Sequence, residues 1–201
     1  MTNMNQRAVQ MPKHATSLPN ILTYGRILAV PAIGISFFLE GDLGRWIAFA
    51  IFAAASITDF FDGYLARAWH MQSALGRMLD PIADKLLVAT TILILVAEGT
   101  LAGWSLIAAI VILCREILVS GLRELLAELQ VSVPVSTLAK WKTTAQMLAL
   151  GFLLTGPAGD KLIGFATDLG LALFWLAAIL TLYTGWDYMR AGIRHIIETD
   201  A

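Results

Sequence analysis

From Trp46 to Ala97 the chain runs WIAFAIFAAASITDFFDGYLARAWHMQSALGRMLDPIADKLLVATTILILVA, two apolar blocks joined by a charged hairpin. The blocks, Trp46 to Ala66 and Met78 to Ala97, each have the roughly 20 residues a helix needs to cross a bilayer core about 30 Å thick. Four further blocks extend the pattern on both sides: Ile21 to Leu39, Trp104 to Leu122, Leu138 to Thr155 and Leu169 to Met189. Helix breakers separate them, as in Glu40-Gly41-Asp42, Glu98-Gly99-Thr100 and Thr155-Gly156-Pro157-Ala158-Gly159-Asp160. Between Leu122 and Leu138, Pro134 marks a linker, because proline removes a helix donor and clashes with the preceding turn.

Composition agrees. Of 201 residues 58% are hydrophobic and only 14% charged, where a soluble domain carries roughly 25% charge. Mean hydropathy is +0.72. Disorder needs low hydrophobicity and high charge, so it is excluded. A net charge of −1 offers no basic footprint for nucleic acid, and the single Cys114 cannot form an internal disulfide. The expectation is an all-α integral membrane protein, a six-transmembrane-helix bundle forming one domain over residues 1–201. Residues 1–17 are a polar N-terminal segment without the apolar core of a signal peptide.

Orientation follows from Lys and Arg, which accumulate on the cytoplasmic side. Twelve of the fourteen fall on one side of the predicted bundle, leaving only Arg45 and Lys161 on the other. This predicts cytoplasmic N- and C-termini. It also puts the hairpin from Asp59 to Lys85 at the cytoplasmic face. Trp46, Trp69, Trp104, Trp141 and Trp186 stand at span ends, where indole rings prefer the interface.

The hairpin holds the chemistry. Asp59, Asp62, Gly63, Ala66 and Arg67 follow i, i+3, i+4, i+7, i+8 and share one helical face. Gly76, Asp80 and Asp84 recur every four residues, and an antiparallel hairpin would turn the two stripes toward each other. One intramembrane aspartate is commonly a structural hydrogen-bonding residue. Four carboxylates in one cleft repel and need protons, basic partners or cations. Oxygen ligands suit Mg²⁺ or Mn²⁺, and the absence of His from the stripe argues against zinc. Gly63 and Ala66 leave room for a bulky ligand, and the forked cation of Arg67 suits phosphate. Together these residues describe a metal-dependent diphosphate site.

The string Asp59-x2-Asp62-Gly63-x2-Ala66-Arg67-x8-Gly76-x3-Asp80-x3-Asp84 resembles, at every fixed position, the signature of the CDP-alcohol phosphatidyltransferase family. The resemblance implies a six-helix membrane fold, usually homodimeric, in which an acceptor hydroxyl displaces CMP from a CDP-alcohol. It makes Asp59, Asp62, Asp80 and Asp84 the ligands of Mg²⁺ or Mn²⁺, as two ions, with Asp84 also the general base. Gly63, Arg67 and Ser73 would hold the cytidine diphosphate of CDP-diacylglycerol. Pro19-Asn20-x2-Thr23-x2-Arg26 is similar to the family's opening motif, where Asn20 and Thr23 would reach the nucleotide; the plainer reading is a helix cap.

Arg115 and Arg123, eight apart, lie on one face of the fourth span, and Lys140 and Lys142 open the fifth. A buried arginine seeks an anion, either a phosphate or an internal carboxylate such as Glu116. Taken alone, the two lysines read as interfacial anchors. The segments Cys114 to Ile117, Gly121 to Glu124 and Lys140 to Gln146 resemble the bacterial branch of the family that uses glycerol 3-phosphate. That likeness implies CDP-diacylglycerol as donor and glycerol 3-phosphate as acceptor, held by Arg115, Arg123, Lys140 and Lys142. The implied setting is the bacterial inner membrane, with the active site at the cytoplasmic face. The alternatives are another acceptor (inositol phosphate or phosphatidylglycerol) or, with different chemistry, a divalent-cation transporter. A transport path would need polar residues across the whole bilayer, whereas Ile27 to Leu39 and Leu86 to Ala97 are almost wholly apolar.

Overall fold

The computed structural model describes residues 18–69, 74–129 and 137–200, with side chains except at 18–19, 60–69, 74–75, 77, 128, 137, 191 and 194–200. The described residues form six helices and no strand. These are α1 (Leu18–Ser36), α2 (Asp42–Trp69), α3 (Ala74–Ala97), α4 (Ser105–Glu128), α5 (Thr137–Ile163) and α6 (Ala166–Asp200). Each covers all or most of one of the six apolar blocks, α1 stopping at Ser36 short of Leu39 and α4 starting just after Trp104. Two segments, Ser105–Ala127 and Ala166–Arg190, are by length and composition apolar enough to cross a membrane. Large apolar side chains lie outward along the helices, among them Leu28, Leu93, Ile117 and Leu182, as a lipid-facing surface requires. The interior is a seam of Ile33, Phe52, Leu87, Leu95, Ile112, Leu150, Leu153 and Phe174.

Lipid is as apolar as leucine, so close packing has to hold such helices together. The most extensive contact is α5 on α6. There a Cβ on Gly170 would stand 2.9 Å from the Leu153 side chain and 3.1 Å from its backbone nitrogen.

The segment from Thr155 to Asp160 departs from expectation. It is not a loop: α5 breaks at Gly156 and then resumes to Ile163. Gly156 has φ 45° and ψ −129°, a conformation open to glycine and closed to residues with a Cβ. Pro157 follows at the first position of the resumed helix, where its missing N–H costs nothing. Arg45 Nη1 donates to the Leu154 carbonyl at 3.4 Å, satisfying an acceptor close to the break. Gly156→Ala is therefore expected to destabilise the protein by about 1–3 kcal/mol. A Cβ there would also stand 2.6 Å from Arg45 Nη1. An unchanged melting temperature in detergent would contradict this account.

The end of α5 also joins α6. Asp160 Oδ1 accepts from the Thr167 backbone N–H at 2.8 Å, and Oδ2 from its hydroxyl at 2.6 Å. The Thr167 hydroxyl, and then its N–H, hold the Asp160 carboxyl below its usual pKa. The two cations expected on the sparsely charged side are both paired. Lys161 meets Asp42 at 2.5 Å, and Arg45 meets Glu98 at 3.7 Å.

The expected facing of the two carboxylate stripes holds at Asp59, which has Asp80 and Asp84 of α3 near it. Among the described residues the two helices make few direct contacts, and each packs closely on α1. Two stripes of like charge gain nothing from direct contact. Instead, α1 brings a cation and a hydroxyl to them.

Candidate active site

Asn20, Thr23 and Arg26 recur every three residues along α1, and all three are almost completely buried. Arg26 Nη1 meets Asp59 Oδ1 of α2 at 2.6 Å, while Thr23 Oγ1 donates to Asp80 Oδ1 of α3 at 2.5 Å. Asp59 keeps about 44% of its side chain exposed, so one face of that carboxylate stays accessible. Asp80 and Asp84 both lie close enough to Asp59 for their charges to act on one another. Gly76, one turn before Asp80, is buried.

Asp62, Gly63 and Arg67 belong by backbone to α2, but their side chains and the whole of Ser73 lie outside the described residues. Among the described residues no three His, Cys, Asp or Glu side chains converge as a metal-holding group. The donor chemistry still fits a hard divalent cation. Asp59, Asp80 and Asp84 offer oxygen alone, and Arg26 offsets only one of their charges.

On the far side of Asp84, a cleft of about 630 Å³ opens between the ends of α3, α4 and α5. Its walls carry Asp84, Lys85, Arg115, Arg123, Lys140 and Lys142, together with Glu116 and Glu124. Thus the expected base and all four expected acceptor cations line one cavity. Five cationic side chains against three carboxylates leave it net positive, which suits an anionic ligand.

The interior of the cleft is tightly wired. Glu116 Oε1 accepts from Lys142 Nζ and, at 3.3 Å, from Arg115 Nη1. Arg115 Nη2 donates to Thr184 Oγ1 of α6 at 3.2 Å. A Cβ on Gly185 would stand 3.0 Å from Arg115 Cγ, so the missing side chain makes room for the arginine. Arg123 and Lys140 are exposed at the mouth, with the Arg123 guanidinium 5.7 Å from the centre of the Tyr188 ring. Lys142 is not a surface anchor: only 5% of it is exposed. A lysine goes that deep when an anion meets it, and Glu116 does.

Two residues escaped the sequence reading as parts of the site. Arg26 stands in the quoted opening string, three residues past Thr23, so the helical face predicted its position but not its partner. From sequence, Glu116 reads only as a counter-ion to Arg115, because its second partner, Lys142, is 26 residues away.

A model of the CDP-alcohol phosphatidyltransferase family matches residues 16–183. The chain is 48% identical over 175 residues to the CDP-diacylglycerol–glycerol-3-phosphate 3-phosphatidyltransferase of Rickettsia bellii (strain RML369-C), covering 87% of this chain and 94% of that one. Proteins of the same name from Escherichia coli (strain K12) and Cereibacter sphaeroides are 40% and 39% identical. Each alignment covers 90% of this chain, with 98% and 97% of the respective relative.

Proposed function

The chain belongs to the CDP-alcohol phosphatidyltransferase family, and we propose that it transfers the phosphatidyl group of CDP-diacylglycerol to glycerol 3-phosphate, giving phosphatidylglycerophosphate and CMP. The observation that carries this reading is the cleft that joins Asp84 to Arg115, Arg123, Lys140 and Lys142. One end has a carboxylate for a hydroxyl proton, and the rest has cations for a phosphate.

The donor sits on the α1–α2–α3 side, with Asn20, Thr23, Gly63, Arg67 and Ser73 around the cytidine diphosphate. Asp59, Asp62, Asp80 and Asp84 would hold Mg²⁺ or Mn²⁺, as two ions, which would supply charge neutralisation at the diphosphate. Arg26 fixes the Asp59 carboxylate and Thr23 that of Asp80, so both ligands are oriented before substrate arrives. The acceptor enters the cleft with its phosphate on Arg115 and Lys142, while Arg123 and Lys140 guide it at the mouth. Its terminal hydroxyl lies toward Asp84, which takes the proton. The oxygen attacks the phosphorus that bears diacylglycerol. A new P–O bond forms, the P–O bond to CMP breaks, and CMP leaves with that electron pair.

The reading extends to the setting of the site: six crossings of the bacterial inner membrane, one domain, both termini in the cytoplasm and the site facing it. The cationic cleft and the excess of Lys and Arg on that side support this orientation.

Release of CMP from CDP-diacylglycerol by the purified protein in detergent tests the proposal. Release is expected only when glycerol 3-phosphate and Mg²⁺ or Mn²⁺ are both present, and EDTA should stop it. Release with phosphatidylglycerol or inositol phosphate, but none with glycerol 3-phosphate, would overturn the acceptor. Undiminished turnover in EDTA would overturn the metal.

A further inference from the structure

Glu116 occupies a singular place in the cleft. A carboxylate among cations that await a phosphate costs binding energy unless it has a task of its own. One oxygen is fully used: Oε1 takes both Lys142 and Arg115. The other, Oε2, accepts no hydrogen bond among the described residues, although the side chain lines the cavity and is 18% exposed. Asp84 and Glu116 are close enough to feel each other's charge, and so are Asp84 and Lys142. Asp84, Glu116, Lys142 and Arg115 thus line one cavity together.

Glycerol 3-phosphate presents three groups of matching chemistry: a terminal hydroxyl, a middle hydroxyl and a phosphate. The ends are provided for by Asp84 and by the cations. Lys142 and Arg115 have N–H groups to spare, since each gives Glu116 only one. The phosphate can bind them without displacing the carboxylate. The middle hydroxyl loses water on entry and needs an acceptor for its proton. The hydroxyls of Ser120, Thr143 and Thr144 also line the cleft, but as neutral oxygens they are weaker acceptors than a carboxylate. Glu124 is exposed, two turns from Glu116 toward the cleft mouth.

We propose that Glu116 is a specificity-determining residue, whose Oε2 accepts a hydrogen bond from the middle hydroxyl of the acceptor while Oε1 holds Lys142 and Arg115 for its phosphate. The inference rests on the reading of glycerol 3-phosphate as acceptor and adds how the cleft tells it from other phosphorylated alcohols. A site built to bond a hydroxyl discriminates strongly against an analogue that lacks it, because its polar group is then left unpaired.

The test uses 1,3-propanediol monophosphate, which keeps the reacting hydroxyl and the phosphate and lacks only the middle hydroxyl. CMP release by the intact protein should favour glycerol 3-phosphate in kcat/KM by roughly tenfold to a hundredfold, the value of a hydrogen bond to a charged group. In Glu116→Met, which keeps the length and removes both oxygens, the ratio should collapse to within about threefold of unity. Loss of the lysine and arginine contacts weakens both acceptors alike, so a merely structural role would lower both rates and leave the ratio standing. If Glu116→Met does not fold, Glu116→Gln serves. Its amide oxygen stays with the cations and its NH₂ faces the cleft, and the ratio should still fall several-fold. Equal kcat/KM for the two acceptors in the unaltered protein overturns the inference and leaves the function intact, as does a ratio that survives substitution. No release with glycerol 3-phosphate at all overturns the acceptor assignment and this inference with it.

Discussion

Asp84→Asn is expected to reduce CMP release by at least a hundredfold to ten-thousandfold, the range a positioned general base supplies. The substitution keeps size and hydrogen-bonding capacity while removing the charge and the proton acceptor. Asp84 is the residue best placed for that part, because it lies near Asp59 on one side and lines the cationic cleft on the other. It therefore links the carboxylates of α2 and α3 to the cleft. Asp80→Asn should be as damaging for a different reason: Mn²⁺ binding, followed by electron paramagnetic resonance, should weaken along with turnover. Neither variant should melt much earlier than the parent, since each removes one of several mutually repelling carboxylates. Full activity in Asp84→Asn would sink the assignment of the base, and full activity with unaltered Mn²⁺ binding in Asp80→Asn would sink that of the ligand.

Arg115→Ala should raise the KM for glycerol 3-phosphate by roughly tenfold to a hundredfold, with the KM for CDP-diacylglycerol unchanged. Removing a contact made equally in the ground and transition states affects KM more than kcat. Arginine 115 is the informative choice because its loss leaves Glu116 paired with Lys142. Loss of Lys142 instead leaves Glu116 to the weaker Arg115 contact alone, and breaking a buried pair costs about 3–5 kcal/mol of stability. A shifted donor KM with an unaltered acceptor KM would assign Arg115 to the wrong substrate.

Most of the architecture was legible because membrane helices announce themselves. A bilayer demands long apolar blocks and internal backbone bonding, so each of the six blocks became a helix, and the charged residues they contained drew attention to the site. The carboxylate stripe was equally legible, since i, i+3 and i+4 spacing is a property of any helix. The Thr155 to Asp160 segment was misread for a local reason. Glycine and proline in series usually end a helix, but here Arg45, 109 residues from the carbonyl it bonds, supports the break and helix resumes beyond it.

Sequence by itself determined the helical class, the helical spacing of Asp59, Asp80 and Asp84, and the cationic character of Arg115, Arg123, Lys140 and Lys142. All of these follow from residue type and short-range periodicity. Tertiary structure decided which groups meet. It put α1 against both α2 and α3, so that Arg26 found Asp59 and Thr23 found Asp80. It carried Lys142 into the interior to Glu116 and joined Arg115, Arg123, Lys140 and Lys142 to Asp84 in one cleft. The physical reason is that an ion pair is set by distance in space. Partners 26, 33 and 57 residues apart leave no periodic trace in the chain that connects them.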